Sequence, residues 1–257
     1  MLKILPILVG LCLGVNCATN YCQYGCNRLQ NIGCNHSGHW AASCPRDSAL
    51  VAFSPAEKQA ILNYHNQDRN IIASGSDNRL PPACRMATMK WDDELAYLAS
   101  LNVRSCKMAH DKCHNTPAFQ HSGQNLAWVS YNRVLNVTDR VSACLKMWYK
   151  ELSRVNKGII TSFPSNYKGP AIGHVTLMAA DRNTHVGCAA ATYSSTGNHH
   201  YKVFLMACNY ATNNLHNVKV YDACPKPASK CTTGVNPEYK FLCSPKEAYE
   251  VNNIKFG

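Results

Sequence analysis

Beyond residue 18 the chain has no apolar run that approaches the roughly 20 residues of a membrane-spanning helix. It also lacks the HExxH, GxSxG, Walker and dinucleotide-binding motifs, and these absences argue against the commonest enzyme classes. No internal repeat or low-complexity tract appears. We therefore expect a soluble protein without a transmembrane anchor. None of these standard catalytic motifs indicates its function.

Cysteine is abundant, with 15 residues in a chain of 257. Such a density is typical of disulfide-bonded proteins in an oxidising compartment. The first 18 residues have a basic start at Lys3 and a short apolar stretch that ends near Cys17, which predicts a signal peptide over 1–18 and a secreted, extracellular protein. Loss of Cys12 and Cys17 with the leader leaves an odd number of cysteines, so they cannot all pair internally.

The formal net charge is +11, but Lys and Arg are scattered along the chain. A basic secreted protein is attracted to anionic surfaces, whereas a nucleic-acid-binding protein concentrates its cations in one stripe or patch. We therefore predict no nucleic-acid partner. Asn35-His-Ser and Asn136-Val-Thr are acceptor sequences for N-glycosylation in such a compartment.

Three segments have helical patterns. The first begins with the capping box Ser54-Pro-Ala-Glu and ends at Gly75. The second follows the acidic pair at 92 and 93 and is predicted to reach about Cys106. The third follows Thr138-Asp139, and its apolar residues recur at helical spacing: Val141, Leu145, Trp148 and Leu152.

The later chain is rich in β-branched and aromatic residues, which predicts strands over 174–180, 186–193 and 201–210. Residues 117–127 have no clear pattern. If the last two strands form a hairpin that turns about Asn198, Cys188 and Cys208 stand opposite each other. Facing residues of neighbouring strands are close enough for a disulfide.

Helices followed by strands predict an α+β fold with helices packed on an antiparallel sheet. Four regions are predicted along the chain. They are the signal peptide (1–18), a cysteine-rich N-terminal extension stapled by disulfides (19–50), the main domain (51–221) and a short cysteine-containing C-terminal tail (222–257).

Histidines are the remaining candidates for chemistry. His110 and His114 are four residues apart, and on a helix they would share a face, as metal ligands often do. In the alternative interpretation, Cys113 is a disulfide partner and His114 is a solvent-facing loop residue.

Seven ordered motifs resemble the CAP superfamily of cysteine-rich secretory, antigen 5 and pathogenesis-related proteins. The opening Asn20-Tyr21-Cys22 resembles the insect antigen 5, or venom-allergen, branch. The motifs are His65-Asn66 with Arg69, Trp91-Asp-Asp-Glu-Leu-Ala, Ala109-His-Asp-Lys-Cys, Gly123-Gln-Asn-Leu-Ala, Met147-Trp148 with Glu151, Gly173-His174 and Ala207-Cys-Asn-Tyr.

The resemblance implies an α-β-α sandwich with a central antiparallel sheet and a cleft of two histidines and two acidic residues. Here the histidines are His110 and His174 and one acid is Glu151, but the second acidic position is Gln124. An amide cannot act as a carboxylate base, so the substitution weakens a catalytic mechanism. No cofactor is required. The cleft is expected either to bind Zn²⁺ weakly through His110 and His174 or to form a hydrogen-bonded polar cluster.

After His174 the sequence departs from the usual family pattern and becomes aliphatic. On the expected strand, Leu177 and Met178 would line an apolar groove suited to a lipid or sterol. In the alternative interpretation, they belong to the buried sheet.

The resemblance also implies a set of disulfides: Cys22–Cys34, Cys26–Cys113, Cys44–Cys106 and Cys188–Cys208. We add Cys84–Cys144 and Cys231–Cys243. Cys224 is then left over, for exchange with Cys231 or for a disulfide-linked dimer.

These features predict a secreted, allergen-like glycoprotein of the antigen 5 type that is not an enzyme. Its expected partner is a hydrophobic ligand or an extracellular host protein. The alternative is a metal-assisted hydrolase, a protease, that uses the His110/His174 cleft. Integrin recognition through Arg-Gly-Asp is not expected because the tripeptide is absent.

Overall fold

The computed structural model describes residues 19–132, 134–195 and 201–253. The predicted signal peptide and the centre of the predicted turn at Asn198 lie outside the described residues. In chain order, the helices and strands are β1 (Ala49–Val51), α1 (Pro55–Ser74), β2 (Lys90–Trp91), α2 (Asp93–Val103), β3 (Gly123–Tyr131), α3 (Val137–Tyr149), α4 (Lys157–Thr161), α5 (Gly173–Ala179), β4 (His185–Ser194) and β5 (Lys202–Tyr210).

The first three predicted helices are α1, α2 and α3. At the start of α1, the Ser54 backbone N–H donates to the Glu57 carboxylate at 2.7 Å, and Glu57 N–H donates back to Ser54 Oγ at 3.3 Å. The helix ends at Gly75, whose φ of +67° suits a residue without a Cβ. Asn136, a predicted glycosylation acceptor, caps α3 by accepting the Asp139 N–H.

The sheet has the strand order β1-β4-β5-β3, and these neighbours are all antiparallel. The short strand β2 pairs with β4 in parallel. In the hairpin of β4 and β5, Cys188 faces Cys208. This is the register that the sequence predicts. The unassigned region 117–127 contains the start of β3, which forms one edge of the sheet.

Alternation along the strands divides the core into two layers. One face of β4 and β5 packs with α1, α3 and α5, and its buried residues include Val186, Phe204 and Met206. The other face packs with α2, and its buried residues include Ala189 and Leu205. Because successive side chains of a strand point to opposite faces, helices cover the sheet on both sides. The fold is therefore the expected α-β-α sandwich.

The prediction of a strand over 174–180 is wrong, since Gly173–Ala179 forms α5. Val175 to Ala180 are all buried. A short apolar run that is buried on all sides has no polar alternation from which its period can be read.

The structure contains six disulfides. Five have the expected partners: Cys22–Cys34, Cys26–Cys113, Cys44–Cys106, Cys188–Cys208 and Cys231–Cys243. The sixth joins Cys84 to Cys224. The predictions of a Cys84–Cys144 bond and of an unpaired Cys224 for a disulfide-linked dimer are therefore wrong.

The physical reason is that Cys144 points from α3 into the core, where it is fully buried and has no disulfide partner. Cys84 instead lies beside the C-terminal tail. Cys84 N–H donates to Asp222 O at 2.8 Å, and Cys224 N–H donates to Pro82 O at 3.0 Å. The segment that leads into β2 and the tail thus run side by side, and the disulfide joins them. Within the described ranges, no helix is both long and apolar enough to cross a membrane.

Candidate functional site

Helix α5 presents His174 near its first turn, and Glu151 holds this end of the helix. The Glu151 carboxylate accepts the backbone N–H groups of His174 at 2.9 Å and of Val175 at 3.2 Å. The first N–H groups of a helix have no partner within the helix and favour a negative charge. Glu151 therefore acts as a cap supplied from the short 3₁₀ helix Lys150–Arg154, which directly follows α3.

The same carboxylate fixes the His174 ring. Nδ1–H of His174 donates to Glu151 Oε1 at 2.6 Å, because a carboxylate can only accept. The ring also stacks on Trp148 with 6.0 Å between centroids and an interplanar angle of 11°. Glu151 is buried, whereas 31% of the His174 side chain is exposed. Position 174 therefore has a fixed ring whose Nε2 has no hydrogen-bond partner in the described chain.

His110 and Gln124 form a second pair. His110 is exposed and donates from Nδ1 to Gln124 Oε1 at 2.9 Å. The buried Gln124 amide donates to Asp111 Oδ2 at 2.6 Å and to Asn209 Oδ1 at 2.9 Å. Asn102 supplies a further, longer bond of 3.5 Å to Gln124 Oε1. All four hydrogen-bonding positions of this amide are thus in use.

Asp111 is a functional-site residue that the sequence analysis missed. Burial opposes ionisation of its carboxyl, but hydrogen bonds from His114, Gln124 and Asn102 outweigh that effect and lower its pKa. A glutamate at position 124 would place a second carboxylate against Asp111. The glutamine and Asp111 therefore fit each other electrostatically. The sequence contains one indication of this role: Asp111 directly follows His110, and the position that is acidic in the family pattern is the amide Gln124 here.

His110 and His114 do not form the two-histidine site considered from their spacing. They lie outside any helix, and the buried His114 donates from Nδ1 to Asp111 Oδ1 at 2.7 Å. Cys113 is bonded to Cys26, as the alternative interpretation predicted. The expectation that His114 faces solvent is wrong, because the Asp111 carboxylate holds its ring in the interior.

The His110–Gln124 pair and the Glu151–His174 pair both involve contacts with residues at the start of β3. Gln124 contacts His110, while Asn125 donates to the backbone oxygen of His174 at 3.1 Å. Gln124 and Asn125 are successive residues at the start of β3, so the two pairs lie at the same end of this strand. In the described chain, no hydrogen bond or ion pair joins His110–Gln124 directly to Glu151–His174, and no group of three or more His, Cys, Asp or Glu residues is placed to hold a metal ion.

A buried chain of hydrogen bonds connects the His174 backbone to α1. His65 donates from Nδ1 to Ile61 O at 2.8 Å, so its Nε2 accepts from the Tyr210 hydroxyl at 2.9 Å. Tyr210 in turn accepts from Asn125 at 3.2 Å. Burial lowers the pKa of His65 to about 4, which keeps the neutral ring that this arrangement requires. His65 is therefore structural.

Arg69 has an equally structural role at the other end of α5. Its fully buried guanidinium donates to Met178 O at 2.6 Å, to Ala180 O at 2.8 Å and to Ala87 O at 2.7 Å. Burial lowers its pKa to about 10, so the group stays charged at neutral pH. A cation at the C-terminal end of a helix is favourable, and α5 is thus held by opposite charges at its two ends.

Comparison with known proteins agrees with the fold. The family model described as "CAP: Cysteine-rich secretory protein family" matches residues 62–210. "Venom allergen-1" of Aedes albopictus is 38% identical over 234 residues, which are 90% of each chain. "Antigen 5 like allergen Cul n 1" of Culicoides nubeculosus is 39% identical over 205 residues, which are 76% of this chain and 93% of the relative.

Among solved structures, the "Crystal structure of NaASP2 with Zn2+" superposes with a TM-score of 0.61 at 23% identity. The match covers 78% of this chain and all of the other, and it concerns the fold alone. Together with the motifs around His110, Gln124, Glu151 and His174, these matches show that the chain belongs to the cysteine-rich secretory, or CAP, protein family and is similar to insect antigen 5 and venom-allergen proteins.

Proposed function

We propose that this protein is a secreted, non-enzymatic antigen 5-like protein that acts by binding an extracellular protein partner. The similar proteins from Aedes albopictus and Culicoides nubeculosus are named as allergens. Six disulfides suit a protein that works in an oxidising, extracellular environment. In this proposal the disulfides keep the binding surface rigid, which reduces the conformational entropy lost on association.

The observation that carries the proposal is that the carboxylate of Glu151 and the amide of Gln124 are already used by the fold. Glu151 accepts two backbone N–H groups and the His174 ring. A general base must instead be free to take a proton from a substrate. Gln124 has no carboxylate, and its amide is fully hydrogen-bonded. These side chains support a structural cluster better than a catalytic one.

A protein partner is favoured over a lipid because Leu177 and Met178, which were expected to line an apolar groove, are buried in the core. Leu177 is 2% exposed and Met178 is 1% exposed on α5, so neither can line an open groove. Large apolar side chains do remain at the surface, including Trp128 and Met147. Aromatic residues and methionine are enriched in protein interfaces. Extraction of the native protein should accordingly yield no stoichiometric lipid by mass spectrometry.

Digestion of a peptide library, followed by mass spectrometry, tests the non-enzymatic assignment. Wild-type protein should release no products above those of a buffer control, because Glu151 is already occupied by hydrogen bonds and none of His110, Gln124, Glu151 and His174 is a Ser, Thr or Cys nucleophile. The matched variants are His110→Ala and His174→Ala, with folding checked by circular dichroism. Cleavage by wild type that disappears in both folded variants would establish the hydrolase instead.

A specific observation favours Zn²⁺ binding as a second property of the cleft. Nδ1 of His110 and Nδ1 of His174 each donate to a protein oxygen, and such hydrogen bonds usually orient histidines that bind a metal through Nε2. We propose that these two Nε2 atoms are the protein ligands, with water completing the coordination. Bound Zn²⁺ would supply Lewis acidity. Two protein ligands make a weak site.

Equilibrium dialysis against Zn²⁺ tests this second proposal. Wild-type protein should take up about one equivalent at saturation, and His174→Ala should lose most of that uptake. His216→Ala is a suitable control because His216 is exposed and lies outside the cleft. Equal uptake by wild type and His174→Ala would eliminate the cleft as the metal site.

A further inference from the structure

A separate cavity lies between the N-terminal extension and the C-terminal end of α2. Its volume is about 380 Å³, within the usual range for small-ligand sites. None of His110, Gln124, Glu151 and His174 lines it. The basic, aromatic and larger apolar residues of its lining are Ile32, His36, His39, Trp40, Leu101 and Arg104. None of the residues that line this cavity is acidic.

Arg104 supplies an uncompensated positive charge to this cavity. The centre of its guanidinium lies 5.2 Å from the centroid of the Trp40 ring. Its Nε is buried without a hydrogen-bond partner in the described chain, and no ion pair between described residues includes Arg104. A partly buried cation without a counter-ion is unfavourable. An anion in the cavity would supply the missing counter-charge.

His36 adds a second donor. Its Nδ1 lies 2.9 Å from the backbone nitrogen of Gly38, which can only donate. Nδ1 must therefore be the unprotonated nitrogen, and the hydrogen of the neutral ring is on Nε2. Burial, followed by the charge of Arg104 and the nearby His39, lowers the pKa of His36, so the neutral ring persists at pH 7. The lining thus offers N–H donors and no carboxylate.

The rest of the cavity is apolar or neutral. Leu101 is 2% exposed, while Ile32 and Trp40 are partly buried. Ser37, Ser105 and Asn35 also belong to the lining. Arginine matches the geometry of a carboxylate better than lysine does, and aliphatic or aromatic walls favour an apolar group beside that carboxylate.

We propose that this cavity binds a carboxylate carried by an apolar group, with the carboxylate on Arg104 and His36 and the apolar group against Ile32, Leu101 and Trp40. A free small acid and the C-terminus of a peptide that ends in an aliphatic residue share this chemistry. Recognition of a peptide C-terminus through its carboxylate is a known mode of binding.

Isothermal titration calorimetry on the full disulfide-bonded protein tests the proposal. The first probe is N-acetyl-leucine, and its control is the neutral N-acetyl-leucinamide of nearly the same shape. The acid should bind at least about tenfold more tightly than the amide, since charge-assisted hydrogen bonds are the stronger ones. A pentapeptide ending in leucine, with a free or an amidated C-terminus, distinguishes a peptide source from a small acid. Tighter binding of the free-ended peptide than of N-acetyl-leucine identifies the peptide source.

Arg104→Met keeps the apolar stem but removes the charge, and it should weaken binding of the acid about tenfold or more. The matched control is Arg46→Met, an exposed arginine of the same extension, which should leave affinity within about twofold. A glycan on Asn35 would lie at the rim of the cavity. Ser37→Ala removes this glycosylation acceptor sequence and is therefore titrated beside wild type. Three results of these titrations would overturn the proposal: equal affinity for the acid and the amide, unchanged affinity for the acid in Arg104→Met, or no binding of the acid by either wild type or Ser37→Ala. Binding of a sulfated oligosaccharide without binding of any carboxylate probe would also overturn it.

Discussion

Replacing Arg69 by methionine should lower the free energy of unfolding by about 4 kcal/mol. The guanidinium is fully buried and donates to Ala87 O, Met178 O and Ala180 O. Methionine fills similar space but leaves these carbonyl oxygens without donors. Each buried, unpaired group costs about 1–3 kcal/mol. Denaturant titration at neutral pH, with the disulfides intact, measures the loss.

Arg69→Lys is the informative control for this prediction. Lysine keeps the positive charge at the C-terminal end of α5. Its single ammonium group cannot, however, donate to Ala87 O and also to Met178 O and Ala180 O, as the planar guanidinium does. The loss should lie between those of wild type and Arg69→Met. A change of less than about 1 kcal/mol in Arg69→Met would contradict the assignment, because that is the size of one ordinary hydrogen bond.

Removal of the Cys84–Cys224 bond by a double alanine substitution should cost about 3–5 kcal/mol. The bonded residues are 140 positions apart. Cross-linking distant residues restricts the unfolded chain, and the effect grows with the length of the closed loop. The Cys188–Cys208 bond lies inside this loop but shortens it only by its own separation of 20 residues. Guanidinium denaturation of the double variant measures the cost.

The double alanine variant of Cys231 and Cys243 provides the comparison. These residues are 12 positions apart, so their removal should cost less, on the order of 3 kcal/mol or below. Wild-type protein should also run as a monomer on a non-reducing gel, because Cys224 is paired within the chain. A reversed order of the two losses would show that strain or local packing, rather than chain entropy, dominates.

The parts of the fold with a strong local signal could be predicted from the sequence. The capping box at Ser54 and the turn at Gly75 define α1 through backbone chemistry that depends on few neighbours. The Cys188–Cys208 bond followed from hairpin symmetry, since register fixes which residues face each other. These features depend on short stretches of chain, where periodicity and capping are informative.

The errors concern features that depend on tertiary packing. Val175 to Ala180 look like a strand because a fully buried apolar run has no polar face. The helix is instead determined by charges outside it, Glu151 at its start and Arg69 at its end. Cys84 could not be paired correctly because the tail that carries Cys224 has no pattern to show that it returns beside residues 82–84.

The candidate site was predictable in its members but not in their connections. The motifs identified His110, Gln124, Glu151 and His174. Sequence order could not show that Glu151 caps α5 or that Asp111 faces Gln124, since both contacts join segments that are distant or irregular. The substitution at 124 had been interpreted as the loss of a charge. In the fold it avoids repulsion with Asp111.

The unpaired Cys144 gives the molecule a native chemical reporter. Burial raises the pKa of its thiol to about 12, and only the thiolate attacks alkylating reagents or disulfides. In the folded state this sulfur is therefore inert toward iodoacetamide and cannot scramble the six cross-links. Once the layer between α3 and the sheet opens, the thiol regains ordinary reactivity. The labelling rate at this one position consequently measures core opening without an engineered probe.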